Sequence, residues 1–388
     1  MTRGIGITTV APMNWRQVTL RILPMSMVAW ARPFSLVLPG LISTFGLSLD
    51  EAGFTVTVLE IGGVSAMLIL GWTIDRWGAL RLISLALTLA SIALIASAFS
   101  PTYEVLLLTF FLIGTGSAAT ACSVNALMAA TGDRRAFYLG LTHALFGLSS
   151  IAAPVAAGII IGTSGWQKYY ALIGLIGLMF SVAFHVTTRE ARKTWMPPAP
   201  LVRSEGVVDV LKDIGPVCVG VSAVVGVQGV FNSWSYLDAV SRYQIGHASA
   251  ALAPAYVWVG ILVGRTIYTF LGREFQPKQL LIGSCVVAAF ATHFVGLASE
   301  FWVAMCSLVV LGIGVGGAYQ LGTAWAVELS PRRIGAASTF VMVSAAMGSG
   351  ICTWVTGIVV ESQGFEAIRW VVSVVLVVGM LSFSTRRV

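Results

Sequence analysis

A chain of 388 residues with 57% hydrophobic and only 10% charged residues falls far below the roughly 25% charged content of soluble domains. With a mean hydropathy of +0.88, this excludes a large soluble core and places the chain among integral membrane proteins. The formal charge of +7 lies in short loops on one side, so it reads as membrane orientation, and no nucleic-acid partner is expected.

A membrane-crossing helix needs about 20 apolar residues. Arg3 and Arg16 precede the first such stretch, 18–42. It is longer than a signal-peptide core and contains Arg32, so it is expected to be a retained helix 1. Helices 2 to 6 are predicted at 51–74, 80–100, 104–127, 138–162 and 168–187. Helices 7 to 12 follow at 215–238, 247–270, 278–298, 301–326, 335–360 and 366–385.

Seventeen of the 23 Lys and Arg fall on one side of these spans, Arg134, Arg135, Arg332 and Arg333 among them, against Lys168, Arg242 and Arg369 on the other. Both termini are therefore expected in the cytoplasm, in a multi-pass protein of the cell membrane. The only long polar connection, 188–213, carries Met196-Pro-Pro-Ala-Pro200. It divides the chain into six-helix bundles at 1–187 and 214–388. That layout predicts an all-α rocking transporter with its solute site between the halves. Cys122, Cys218, Cys285, Cys306 and Cys352 have neither disulfide nor metal spacing. No cofactor or metal is expected, and the protein is expected to be a monomer.

Between helices 2 and 3 the chain reads Gly71-Trp-Thr-Ile-Asp75-Arg76-Trp-Gly78-Ala-Leu-Arg81. This resembles the G-x-x-x-D-R-x-G-R-[RK] loop of the major facilitator superfamily, with the last basic position shifted. The resemblance implies a cytoplasmic latch. Gly71 permits close helix approach, Asp75 faces a neighbouring helix start, Gly78 allows the reversal, and Arg76 and Arg81 pair with acids or helix ends. Gly264-Arg265 and Gly272-Arg273 echo it at the predicted 8–9 turn. Glu328 and Pro331-Arg332-Arg333 at the 10–11 turn match Asp133-Arg134-Arg135 at 4–5, which supports internal duplication. Leu141-Thr-His143-Ala-Leu-Phe-Gly147, Trp234-Ser-Tyr236 and Val257-Trp258-Val-Gly260 resemble the fucose–proton symporter-like branch. Sugar symporters of that branch have acids in helices 1 and 4, where this chain has Arg32 and Asn125, which argues against sugar uptake. Helix 5 places Gly140, Ser149, Ala153, Pro154 and Gly158 in the small-residue pattern of antiporters.

An ionisable residue at the bilayer centre costs at least ~2.5–3.5 kcal/mol and marks function by default. Arg32 lies ten residues, roughly 15 Å, from the outer end of helix 1, and Glu60 about 14 Å from that of helix 2. Arg32 either binds a carboxylate or phosphate of the solute through its planar fork or pairs with Glu60. Gln228, Asn232 and Ser235 share one face of helix 7 beside Tyr236, and helix 10 carries Tyr319, Gln320 and Thr323. In this superfamily helices 1, 4, 7 and 10 line the cavity, so these residues and Asn125 are the expected solute contacts. Glu60 and His143 are candidates for proton coupling.

The expected function is secondary active transport of a small polar, anionic organic solute by alternating access, coupled to a proton or counter-solute. Efflux of amphiphilic compounds by antiport and sugar–proton symport are the alternatives. The four scattered histidines and the lack of a nucleophile–base pair argue against an enzyme.

Overall fold

The computed structural model describes residues 15–131, 134–193, 207–331 and 333–385. Ten helices there are long and apolar enough to cross a membrane. One is the 51-residue run Phe137–Thr187. Gly165 bends it into two with a φ of 83°, a left-handed geometry that glycine adopts without penalty, so this run supplies helices 5 and 6. Helix 1 consists of two limbs, Trp15–Trp30 and Phe34–Phe45, bent by 43°. The bend falls at Arg32-Pro33, where proline lacks the donor a continuous helix needs. The described residues thus hold the twelve expected spans.

The remaining spans are helix 2 (Leu49–Trp77), helix 3 (Ala79–Ala98) and helix 4 (Tyr103–Ala129) in the first bundle. In the second they are helix 7 (Val207–Tyr243), helix 8 (His247–Leu271), helix 9 (Pro277–Leu297), helix 10 (Phe301–Leu329), helix 11 (Ile334–Gln363) and helix 12 (Ile368–Ser384). Helix 10 runs through Gly317, whose backbone stays in the right-handed helical region, as one span without the bend that helix 1 shows. Helix 8 continues to Leu271, so Arg265 lies inside it and not in the 8–9 turn where the motif echo put it.

The two bundles repeat one packing device. A Cβ on Gly114 of helix 4 would lie 1.8 Å from the Leu59 carbonyl oxygen of helix 2, and one on Gly62 would lie 2.0 Å from that of Phe111. In the second bundle Gly260 meets the carbonyl of Val309 at 2.1 Å and Gly312 that of Val257 at 2.3 Å. Both glycine pairs (62 with 114, 260 with 312) are 52 residues apart. Only a missing side chain lets helix backbones approach this closely. The recurrence is what a duplicated six-helix unit predicts.

The seam between the lobes is uneven. In the half away from the termini, Thr57 Oγ1 donates to the Gly350 carbonyl at 2.8 Å, and the Leu49 amide donates to Glu361 Oε2 at 2.7 Å. The Phe54 and Trp354 rings pack there in a tilted arrangement, with centroids 5.4 Å apart. One apolar cluster runs through this half from Val37 and Leu41 into Trp234 and Val257. The terminus half of the first lobe keeps a separate cluster around Ile22, Ile83, Val124 and Phe184. The lobes therefore share an apolar core away from the termini, while on the terminus side Cys122 Sγ of helix 4 meets Met342 Sδ of helix 11 at 3.7 Å.

Candidate functional site

The break in helix 1 frees Arg32 from regular helical geometry and turns it into the space between the lobes. Its Nη2 donates to Glu60 Oε1 of helix 2 at 2.5 Å. The Arg32 side chain keeps 32% of its surface exposed and Glu60 only 11%. The guanidinium carbon lies 5.8 Å from the Phe34 ring centroid. A pair this enclosed carries a large desolvation cost, so removing one partner strands the other.

This pair forms one wall of a cavity of about 220 Å³. Gln228 and Asn232, one helical turn apart on helix 7, and Tyr319 of helix 10 form the facing wall. Asn232 Oδ1 is buried and has no hydrogen-bond partner among the described residues. A buried amide oxygen normally finds one, so this wall offers a solute an open acceptor. Both lobes thus contribute polar groups to one volume near mid-bundle, next to the bend of helix 1. Irregular backbone at membrane depth is tolerated where it lines such a cavity.

The structure brings together Arg32, Glu60, Gln228, Asn232 and Tyr319, and it separates the other candidates. Tyr236 faces His247 in a different cavity, toward the sealed end, and its hydroxyl hydrogen-bonds His247 Nδ1. Gln320 turns to helix 8, where its Nε2 donates to the Arg265 carbonyl at 3.2 Å. Thr323 Oγ1 donates to the Tyr319 carbonyl in its own helix at 2.8 Å. Asn125 Oδ1 is buried without a partner among the described residues but does not line the central cavity. His143 lines a further cavity of about 360 Å³ with Arg265, Gln320 and Tyr319.

Sequence reasoning missed Phe34, Met67, Met342 and Ser349 on the cavity wall. Helix 11 supplies four of the lining residues, Met342, Ala345, Ala346 and Ser349, and only Ser349 among them is polar. At the proposed latch, Gly78 has a φ of 81°, and its amide donates to the Ile74 carbonyl at 2.9 Å, which closes helix 2 and opens helix 3. Gly71 and Asp75 lie in helix 2, the Asp75 side chain being outside what is described, and Arg76 and Arg81 are exposed. Asp133 and Arg332, and half of the linker, residues 194 to 206, lie outside the described residues.

Residues 22–292 match the Major Facilitator Superfamily. The glucose/mannose transporter GlcP of Bacillus subtilis (strain 168) is 20% identical over 331 residues, covering 82% of this chain and 81% of that protein. The multidrug resistance protein MdtL of Klebsiella pneumoniae is 24% identical over 355 residues, covering 89% of this chain and 88% of that one. The solved structure of a bacterial homolog of the human lysosomal transporter Spinster, inward-facing and occupied, superposes with a TM-score of 0.76 at 16% identity over 96% of each chain. Two six-helix lobes around a shared polar cavity, together with a family match over most of the chain, make this protein a member of the Major Facilitator Superfamily and a membrane-embedded secondary transporter.

Proposed function

We propose that the solute is a small polar organic anion, held between the lobes by Arg32 and carried together with a proton taken by Glu60. The observation behind this reading is the Arg32–Glu60 pair inside the cavity. The guanidinium has five donors in a planar fork, and one is engaged with Glu60. An incoming carboxylate matches that fork bidentately and competes with Glu60 for it. Glu60, released from Arg32, is the carboxylate that takes the coupled proton in this reading. Solute and proton then leave a neutral, occupied cavity, and Gln228 and Asn232 bond the rest of the solute.

In this account both termini are cytoplasmic, the terminus half admits solute from the cytoplasmic side, and the Leu49–Glu361 and Thr57–Gly350 contacts seal the outer side. Rocking of the lobes about the cavity, with the Gly71–Arg81 turn as the opposing latch, exchanges the two openings. Efflux of amphiphilic compounds is the second reading. The apolar surfaces of Phe34, Met67 and Met342 in the cavity favour it, as does the likeness to a multidrug resistance protein. The likeness to a sugar transporter makes glucose a required control.

The test is thermal stabilisation of the purified protein by lactate, succinate, glucose and ethidium at a mildly acidic and a neutral pH. Lactate or succinate is expected to stabilise, more at acidic pH because a proton is bound together with it, and Arg32→Gln is expected to abolish the effect. Stabilisation by ethidium or glucose alone moves the solute to that class.

A further inference from the structure

Arg265 stands on helix 8 six residues from its end at Leu271, about 9 Å by helical rise. Three other arginines in or beside the spans have carboxylate partners. Arg32 has Glu60, Arg242 has Asp238 at 2.8 Å and Arg369 has Glu366 at 3.8 Å. Among the described residues no such ion pair reaches Arg265. Arg265 instead lines the cavity of about 360 Å³ between helices 5, 8 and 10.

The neighbours in that cavity favour one sign of ligand. His143 comes from helix 5, Tyr319 and Gln320 come from helix 10, and none of the lining residues is acidic. Gly140 leaves open space on the helix 5 side. A guanidinium at membrane depth is costly until it meets a counter-charge. An oxyanion would supply that counter-charge while the imidazole and phenol hydroxyl donate to it. Tyr319 lines both this cavity and the central one, so the two volumes adjoin along one route. The walls belong to different lobes, so rocking separates His143 from Arg265.

We infer that Arg265, flanked by His143 and Tyr319, is a second anion-binding site, for the carboxylate of a soluble organic anion, on the terminus side of the central cavity. This extends the transport reading, but its test does not depend on Arg32. Benzoate is the probe, titrated into purified protein in nonionic detergent. The background is Arg32→Gln with Glu60→Gln, which removes the central ion pair as a neutral unit. Saturable benzoate binding is expected to persist there, and adding Arg265→Gln is expected to weaken it by about tenfold or more, the scale of a lost charge-assisted contact. If Arg265→Gln is not monodisperse, Arg265→Lys carries the test, because it keeps the charge but loses the fork; a several-fold weakening is expected.

The assignment is overturned by any of three results in monodisperse protein. These are affinity unchanged by the Arg265 substitution, binding already lost in the Arg32→Gln/Glu60→Gln background, and no saturable binding to the unmodified protein. A phosphatidylglycerol arm separates the sources of the oxyanion. Arg265-dependent stabilisation by that lipid and none by benzoate would make this a headgroup site and overturn the soluble-anion assignment. Failure of the central reading is visible separately, as lactate or succinate stabilisation that survives Arg32→Gln.

Discussion

Arg32 and Arg265 both line cavities between the lobes, and the chain treats them oppositely. Arg32 sits where helix 1 breaks and is held by Glu60 at 2.5 Å. Arg265 sits in a continuous part of helix 8 and has no carboxylate partner among the described residues. A charge neutralised by its own chain is part of the folded structure, so removing it disturbs stability and function together. A charge left for a ligand burdens the empty protein, so removing it should cost binding and not stability.

The largest expected effect follows from the first case. Arg32→Ala should lower the initial rate of anion flux in proteoliposomes by about 100-fold or more. It should also destabilise the fold toward the lower end of about 3–5 kcal/mol, since Arg32 is a third exposed. Adding Glu60→Gln should restore the melting temperature but not the flux. A double variant as unstable as the single one would remove the pair from the structural account. For the second case, Arg265→Gln should leave the ligand-free melting temperature unchanged or slightly raised. A drop as large as that of Arg32→Ala would erase the contrast.

The two ends of the molecule sharpen the comparison further. Glu361 places a carboxylate at the first amide of helix 2, where the helix dipole favours negative charge by roughly 0.3–1 kcal/mol. Glu361→Gln should therefore shift the lobes toward opening at the sealed end by about two- to fivefold, read as a change in the distance distribution between spin labels on helices 2 and 11. The smallest expected effect is at the opposite turn. Asp75→Asn should change turnover a few-fold and leave equilibrium affinity unaltered. A large affinity loss with normal turnover would deny the latch role.

Much of this was legible in the sequence because bilayer thickness fixes span length and because depth can be counted from a helix end. Both counts put Arg32 and Glu60 at one level, where they meet. The i, i+4 spacing of Gln228 and Asn232 likewise gave one face of helix 7. Tyr236 continues that stripe but lies another turn toward the sealed end, where His247 takes it. Gln320 follows Tyr319 directly, so the helical rotation of about 100° per residue turns it toward helix 8. Arg265 was hidden by a motif echo that assigned it to a turn, although a charge inside the apolar stretch 247–270 was the signal that could have found it. The contribution of helix 11 had no such signal, because Met342 and Ser349 sit among small and apolar residues.

The central claim is that one cavity between the lobes opens to each side in turn. Ser349 lines that cavity from helix 11, so the direct test is Ser349→Cys in a variant lacking the five native cysteines, labelled with a membrane-impermeant thiol reagent from each face of oriented vesicles. The account predicts labelling from the terminus side at rest, with Glu361→Gln adding labelling from the opposite side. Labelling from the opposite side alone in both proteins, or from neither side in either, would contradict it.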